Sequence, residues 1–397
     1  MTSHHDNLFA AFTFANGVAL RNRIAMAPMT TWSGNSDGTV ADAEIDYYRR
    51  RVNGAGLVIT GCTHVQPNGI GFTHEFAAFD DSFLPGLTRL AHAARSGGAV
   101  ALLQIFHAGN KATPGLMATG DVVSASAVEI EAGPYNHALT PRALTHAEIR
   151  DVIRAFGETT RRAIEAGFDG IELHGAHGFL IQNFLSPHFN RRTDKWGGSL
   201  ENRMRFPLAV VTEVRRVIET HADRPFLLGY RISHGEPGEG RLQIGDALAL
   251  TDRLIDGGID YIHASLGNIL GAKPIGEAGG RTTAEIVVDH AAGRVPVIAA
   301  GQILTPEAAA KALELGLSLV AVGRGLVINP DWVELAQSGR SERIETTLNP
   351  DKLSELAIPD KLWSEIEARA GWFQIQTMGK AEAHDTVRAQ SALPLRV

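Results

Sequence analysis

A chain of 397 residues with 44% apolar and 20% charged residues is long enough for two average domains or one large α/β barrel, and has the composition of a globular protein. A formal net charge of −7 without a long basic run argues against nucleic acid or an anionic membrane surface as partner and leaves a small molecule. The single cysteine, Cys62, excludes an intrachain disulfide, a four-cysteine iron–sulfur cluster and a cysteine-ligated structural zinc site.

No stretch approaches the about 18 apolar residues of a membrane span, and the first residues lack the basic and apolar regions of a secretory signal, so a cytoplasmic protein is expected. Alternating apolar residues from Phe12 to Leu20 around Asn16-Gly17 predict a hairpin, because that dipeptide tolerates positive φ. Strand and helix patterns then alternate. Strands are predicted over Arg23–Met29, Leu57–Cys62 and Ala99–Ile105, with helices over Ala43–Val52 and Pro85–Ser96. Lys111 to Arg142 is too long for a routine connection and reads as an insertion over a site.

Thr145-His146-Ala147-Glu148 forms a capping box opening a helix to about Ala166, which Gly167 stops. Strands follow at Asp169–Leu173, Pro225–Ile232, Ile259–Ala264, Val295–Ala300 and Leu319–Val322. Between them lie a polar loop over Ser186–Ser199 and helices over Leu200–Thr220, Asp246–Ile255 and Thr283–Ala292. A further helix is capped by Thr305 with Pro306 at its first position. From about Ser338 the pattern breaks down, apart from a helix over Pro359–Ala370.

Eight strand-then-helix units fold as a closed (β/α)8 barrel or as an open doubly wound sheet. An open dinucleotide-binding sheet would carry G-x-G-x-x-G after its first strand, where this chain has Ala27-Pro28-Met29-Thr30. The barrel is therefore expected: residues 1–340, with an N-terminal hairpin and an insertion after the third strand. Residues 341–397 then form a C-terminal extension that packs on it or on a neighbouring subunit, compatible with a homo-oligomer.

A barrel works at the C-terminal ends of its strands, here Pro28, Met29 and Thr30; Cys62; Gln104 and His107; His174 and His177; Arg231; Ala264 and Ser265; Gly301; Gly323 and Arg324. Gly301 and Gly323 with Arg324, after strands seven and eight, combine close backbone approach with a cation and read as a phosphate site or as simple tight turns. Arg231 needs an anion or a neighbouring carboxylate, and Gln104 reads as a partner for a flat heterocycle or a glutamine satisfied by backbone. His174 and His177 admit three readings: metal ligands with distant help from His107 or Glu172, core histidines, or neutral donors gripping one substrate oxygen. The last fits best, because two N–H groups converging on a carbonyl oxygen stabilise the charge that grows there. No metal is expected.

Ala27-Pro28-Met29-Thr30, Gln104-Ile105-Phe106-His107-Ala108-Gly109, the run from His174 to Pro187, Asn190 to Ser199 and Gly323-Arg324, in that order across Leu8 to Gln337, together resemble the old yellow enzyme family of NAD(P)H:flavin oxidoreductases. The resemblance implies a barrel holding FMN noncovalently and a ping-pong transfer of hydride from NADH or NADPH to an activated alkene, quinone or similar acceptor. It places Ala27, Pro28, Met29, Thr30 and Cys62 at the flavin ring, Gln104 at its pyrimidine edge, and Arg231 at the N1/O2 edge, where positive charge favours the anionic reduced ring. Gly301, Gly323 and Arg324 would hold the phosphate; His174 and His177 would clamp the substrate oxygen, with Trp32 and Phe179 beside it.

The chain departs from the family pattern at Phe179, where alkene-reducing members usually carry a tyrosine that protonates the α-carbon. Of the five tyrosines only Tyr135 falls in a candidate lid loop. Alternatives are therefore an NAD(P)H oxidase or quinone reductase with little ene-reductase activity, a flavin-binding barrel without efficient turnover and, in another class, a metal-dependent barrel lyase.

Overall fold

The computed structural model describes residues 6–133, 138–277 and 279–376. Eight parallel strands run in chain order: β1 Ile24–Met26, β2 Leu57–Ile59, β3 Val100–Phe106, β4 Gly170–Gly175, β5 Leu227–Ile232, β6 Tyr261–Ser265, β7 Val297–Ala300 and β8 Leu319–Val322. Each pairs with the next, β8 pairs with β1, and β2 pairs with β3, so the sheet closes on itself as the (β/α)8 pattern predicts. Helices α1 Asp42–Arg51, α2 Leu84–Arg95, α3 His146–Glu165, α4 Leu200–His221, α5 Ile244–Asp256, α6 Thr283–Ala291, α7 Pro306–Glu314 and α8 Trp332–Gln337 follow the strands in turn.

Side chains alternate along each strand, and this period of two sorts the sequence into two layers. Ile171 and Leu173 of β4, Leu228, Tyr230 and Ile232 of β5, and Val320 and Val322 of β8 belong to the large core between sheet and helices. The alternate positions face inward. There Ala25, Leu57, Leu102, Leu227, Ile298 and Leu319 fill the barrel, closed from below by Phe14 and Leu20 of the hairpin, whose strands Phe12–Thr13 and Ala19–Leu20 pair antiparallel. Gly17 takes φ +91°, as the Asn-Gly turn requires.

The capping signals act as read. Thr145 Oγ1 accepts from the Glu148 amide, the Glu148 carboxylate accepts from the Thr145 amide, and Gly167 turns at φ +90°. The first two strands end sooner than the apolar runs suggest, at Met26 and Ile59. Pro28 has no N–H for the ladder, and the residues after each strand turn across the barrel mouth.

In the insertion, Val123–Ser124 pairs in parallel with Arg142–Ala143, and Ala112, Val122, Met117 and Leu139 pack with Phe106 and Phe179. Tyr135, the candidate lid tyrosine, lies outside the described residues. In the C-terminal segment a helix over Asp360–Ala368 buries Leu362 and Ile366, while Leu348 and Phe373 join the same core. Arg51, fully buried, donates to the Leu356 carbonyl at 2.5 Å.

Candidate active site

Above the apolar plug the inward positions become polar: Gln104 on β3, Glu172 and His174 on β4, Arg231 on β5, His263 and Ser265 on β6. Of these, Gln104, His174, Arg231 and Ser265 line a cavity of about 670 Å³ at the C-terminal mouth, and Glu172 and His263 are buried behind them. All fourteen residues expected to bind cofactor or substrate line this cavity: Ala27, Pro28, Met29, Thr30, Trp32 and Cys62 from the first two strand ends, then Gln104, His174, His177, Phe179 and Arg231, then Gly301, Gly323 and Arg324. His107 does not. It is buried to one side, paired with Asn68 and accepting from the Gly109 amide.

The histidine pair is built by β4 and the turn after it. His174 Nδ1 accepts from the Ala176 amide at 3.3 Å, so the neutral ring carries its proton on Nε2. His177 sits at φ +60°, a region β-carbon sterics disfavour, and its neighbours over-determine it. Its amide donates to Ser233 Oγ, its carbonyl accepts from Lys111 Nζ at 2.6 Å, and the next amide, Gly178, donates to Gln182 Oε1. The two imidazole centroids are 4.8 Å apart. Loss of hydration in the barrel mouth holds both rings well below the usual histidine range. For His174 the neighbouring His177 and Arg231 add to this, and for His177, although it is open to the cavity, Arg231 and Lys111 do. Both are thus neutral donors at physiological pH.

Beside them the polar edge is continuous. Arg231 donates to Ser265 Oγ at 3.0 Å, and Ser265 Oγ lies 2.6 Å from His177 Nε2. The Arg231 Nε is buried without a hydrogen-bond partner. The salt bridge weighed for Arg231 is not found among the described residues, because Glu172 is turned to Gln104, Tyr261 and His263 instead. Gln104 correspondingly binds a carboxylate side chain rather than backbone. With Glu172 and His107 both engaged elsewhere, the histidine pair also lacks the third ligand a metal reading needs, and among the described residues no three His, Cys, Asp or Glu side chains are grouped to hold a metal.

On the opposite side Thr30 Oγ1 lies 3.3 Å from Cys62 Sγ, and burial keeps that thiol protonated, its pKa well above the usual value. A β-carbon on Gly301 would come 2.6 Å from the Leu266 carbonyl and 3.1 Å from the Ile269 amide, so only glycine admits this approach of the β7 and β6 loops. Arg324, next to Gly323, donates to the Trp372 carbonyl at 2.6 Å. Trp372, from the C-terminal segment, lines the cavity and meets Trp32 edge to face at 5.8 Å.

Lys111, Phe72, Ser265, Gln302 and Trp372 also line the cavity and carry no role in the sequence reading. Ser265 stands at a strand end, which is a usable signal. Lys111 lies just inside the insertion and Trp372 far beyond the last strand, where only folding brings them back.

The chain matches the family described as NADH:flavin oxidoreductase / NADH oxidase over residues 7–343, nearly its whole described length. It belongs to that family. Among curated relatives of this flavin oxidoreductase, a probable NADH-dependent flavin oxidoreductase, YqiG, of Bacillus subtilis is 42% identical over 372 residues, 94% of this chain and 99% of that one. The NADH:fumarate oxidoreductase of Klebsiella pneumoniae is 37% identical, over 91% of this chain but only 39% of the longer relative. Morphinone reductase, solved with tetrahydroNAD, superposes with a TM-score of 0.71 at 27% identity, covering 84% of this chain and 91% of that structure.

The protein is an FMN-dependent NAD(P)H oxidoreductase of the old yellow enzyme family, which sets aside the lyase reading. Its lining suits the cofactor: an unpartnered buried guanidinium nitrogen and the Gln104 amide can meet a flat heterocycle, and Gly301 and Gly323 beside Arg324 offer backbone and a cation. No helix among the described residues is long and apolar enough to cross a membrane.

Proposed function

We propose that the enzyme works by a ping-pong cycle in which NAD(P)H and an oxidised acceptor occupy the same part of this cavity in turn. FMN, when bound, would supply the hydride-carrying chemistry between nicotinamide and acceptor. The chain's own residues bind, orient and polarise. Gly301, Gly323 and Arg324 hold the phosphate; Ala27, Pro28, Met29, Thr30 and Cys62 bound the ring; Gln104 and Arg231 meet its pyrimidine edge. What supports this seating is the convergence of all of them on one cavity with the Arg231 Nε left unpartnered.

His174 and His177 then grip the acceptor's carbonyl, nitro or quinone oxygen. Their neutral state matters, because each can donate one N–H without bringing a charge that would repel Arg231. Trp32 and Phe179 wall the acceptor on either side of that clamp. The acceptor is an activated alkene, a quinone or a similar electron-poor molecule.

A second reading is favoured by one observation. Phe179, at the position where the family pattern puts a proton-donating tyrosine, packs its ring 4.9 Å from both His174 and Phe106. Phenylalanine has no proton to give, so the enzyme is better matched to quinone, flavin or oxygen than to alkenes. The experiment is a stopped-flow comparison of reoxidation of the reduced enzyme by oxygen, a quinone and an enone. Fastest reoxidation by the enone would sink the second reading, and intersecting rather than parallel double-reciprocal plots would sink the ping-pong cycle.

In the same proposal residues 1–340 form the catalytic barrel and 341–397 an extension to it. The buried positions of Leu348, Leu362 and Phe373 and the contact of Trp372 with the cavity support packing on the barrel of the same chain.

A further inference from the structure

The register of the barrel sets Gln104 on β3, Glu172 on β4, Gly229 on β5 and Tyr261 on β6 side by side in one rung. Glu172 is fully buried at the centre of it. Its Oε1 accepts from Gln104 Nε2 at 2.7 Å, and its Oε2 accepts from the Tyr261 hydroxyl at 2.9 Å and from His263 Nδ1 at 2.8 Å. Gly229 makes this assembly sterically feasible. A β-carbon there would stand 2.0 Å from the Tyr261 ring, so glycine is what lets the phenol cross β5 to reach β4.

A carboxylate taken wholly out of water needs compensation, and this one receives three donors. Burial by itself would favour protonation; His263, Arg231 and Gln104 outweigh it and keep the acid below its ordinary range. The clamp described above makes no use of this charge, and packing alone would be served by an apolar side chain. Two consequences reach the cavity. One N–H of the Gln104 amide is committed to Glu172, so its orientation toward the cavity is fixed. A buried negative charge also stands behind that amide, opposing Arg231 in a medium that screens poorly.

We propose that Glu172 is a positioning residue for the flavin, which orients the Gln104 amide and, by offsetting Arg231, keeps the flavin's reduction potential lower than Arg231 alone would set it. The proposal rests on the pyrimidine edge lying at Gln104 and Arg231. It makes Tyr261, His263 and Gly229 parts of one device whose output is the strength of the reduced enzyme as a hydride donor.

The test is the midpoint potential of the holoenzyme, measured anaerobically against a reference dye, for the wild type and for Glu172→Gln and Tyr261→Phe, with FMN affinity measured on the apoproteins. Glu172→Gln removes the charge and should favour reduced over oxidised flavin tenfold or more, a rise of about 30 mV for a two-electron couple. Tyr261→Phe keeps the charge but removes a donor that neutralises it, so the potential should move down. Unchanged potentials, or shifts of the same sign in both, would overturn the proposal; should Glu172→Gln not fold, the absence of a downward shift in Tyr261→Phe does so alone. If Gln104→Ala leaves the affinity for oxidised FMN untouched, the seating of the flavin fails and the proposal with it. Weakened FMN in Gln104→Ala with unmoved potentials in the other two overturns only the role of Glu172.

Discussion

The Phe179 ring stands edge to face against the His174 imidazole, with 4.9 Å between centroids and 83° between planes. A hydrocarbon ring therefore borders the histidine pair proposed as the substrate clamp. The packing is tight, since Phe106 holds the same ring from another side at 4.9 Å.

Phe179→Tyr should accordingly raise the rate at which an unsaturated ketone reoxidises the reduced enzyme, by roughly tenfold or more given what a placed general acid contributes. Reoxidation by a quinone should not change. Stopped-flow traces with both acceptors read the two rates, and an unaltered enone rate would mean that the proton comes from another group.

On the proposed clamp, alanine at His174 or His177 would remove one donor to the substrate oxygen. Binding of a phenol to the oxidised enzyme, followed as a long-wavelength absorbance band, should weaken about tenfold to a hundredfold per residue, the scale of a charge-assisted hydrogen bond. FMN content should stay at wild-type level. Retained phenol affinity would remove the histidines from the clamp.

Arg324→Ala should lower the affinity of the apoprotein for FMN by roughly tenfold to a hundredfold, as loss of an arginine–phosphate bond does, and leave its affinity for riboflavin nearly unchanged. Fluorescence quenching of the two flavins measures both. An equal loss for the two would show that the guanidinium supports the fold and not the phosphate, in keeping with its bond to the Trp372 carbonyl.

Acid should destabilise the protein from about pH 6.5 downward. Burial lowers the pKa of His107 to about 3 and of His234 to about 4, and that of His174 well below its ordinary value. Below pH 6.5 the unfolded chain binds protons that these rings refuse in the fold, so stability falls by about 1.4 kcal/mol per pH unit for each such histidine. Glu44 works in the opposite sense. Burial raises its pKa to about 7, so between pH 4.5 and 7 the folded state holds the extra proton, which cancels about one histidine. A denaturant midpoint that falls between pH 7 and pH 5 checks the balance; one that rises would show that buried carboxyls dominate.

Much of the architecture was legible in local pattern. The capping box of Thr145 and Glu148, the Asn16-Gly17 turn and the Thr305-Pro306 cap act through neighbouring residues only, so the chain announces them without tertiary help. The strand ends were readable too, because a barrel puts its working residues there, and of those named all but His107 and Ala264 line one cavity. Strand lengths were overestimated past Met26 and Ile59, where only one further interstrand bond follows, from Ala27 and from Thr60, before the chain turns away.

What the sequence by itself determined is therefore the order of the elements, the layer to which each alternate side chain belongs, and which chemical groups stand at the mouth. The tertiary structure alone decided which groups pair. Glu172 binding Gln104, Tyr261 and His263, Ser265 joining Arg231 to His177, Lys111 on the His177 carbonyl and Trp372 against Trp32 all join strands or segments far apart in the chain. Such partnerships depend on the register and closure of the sheet and on where glycines such as Gly229 open a path. No local period encodes them, since they come into being only when the strands pair in this register and the insertion and C-terminal segment fold back over the mouth.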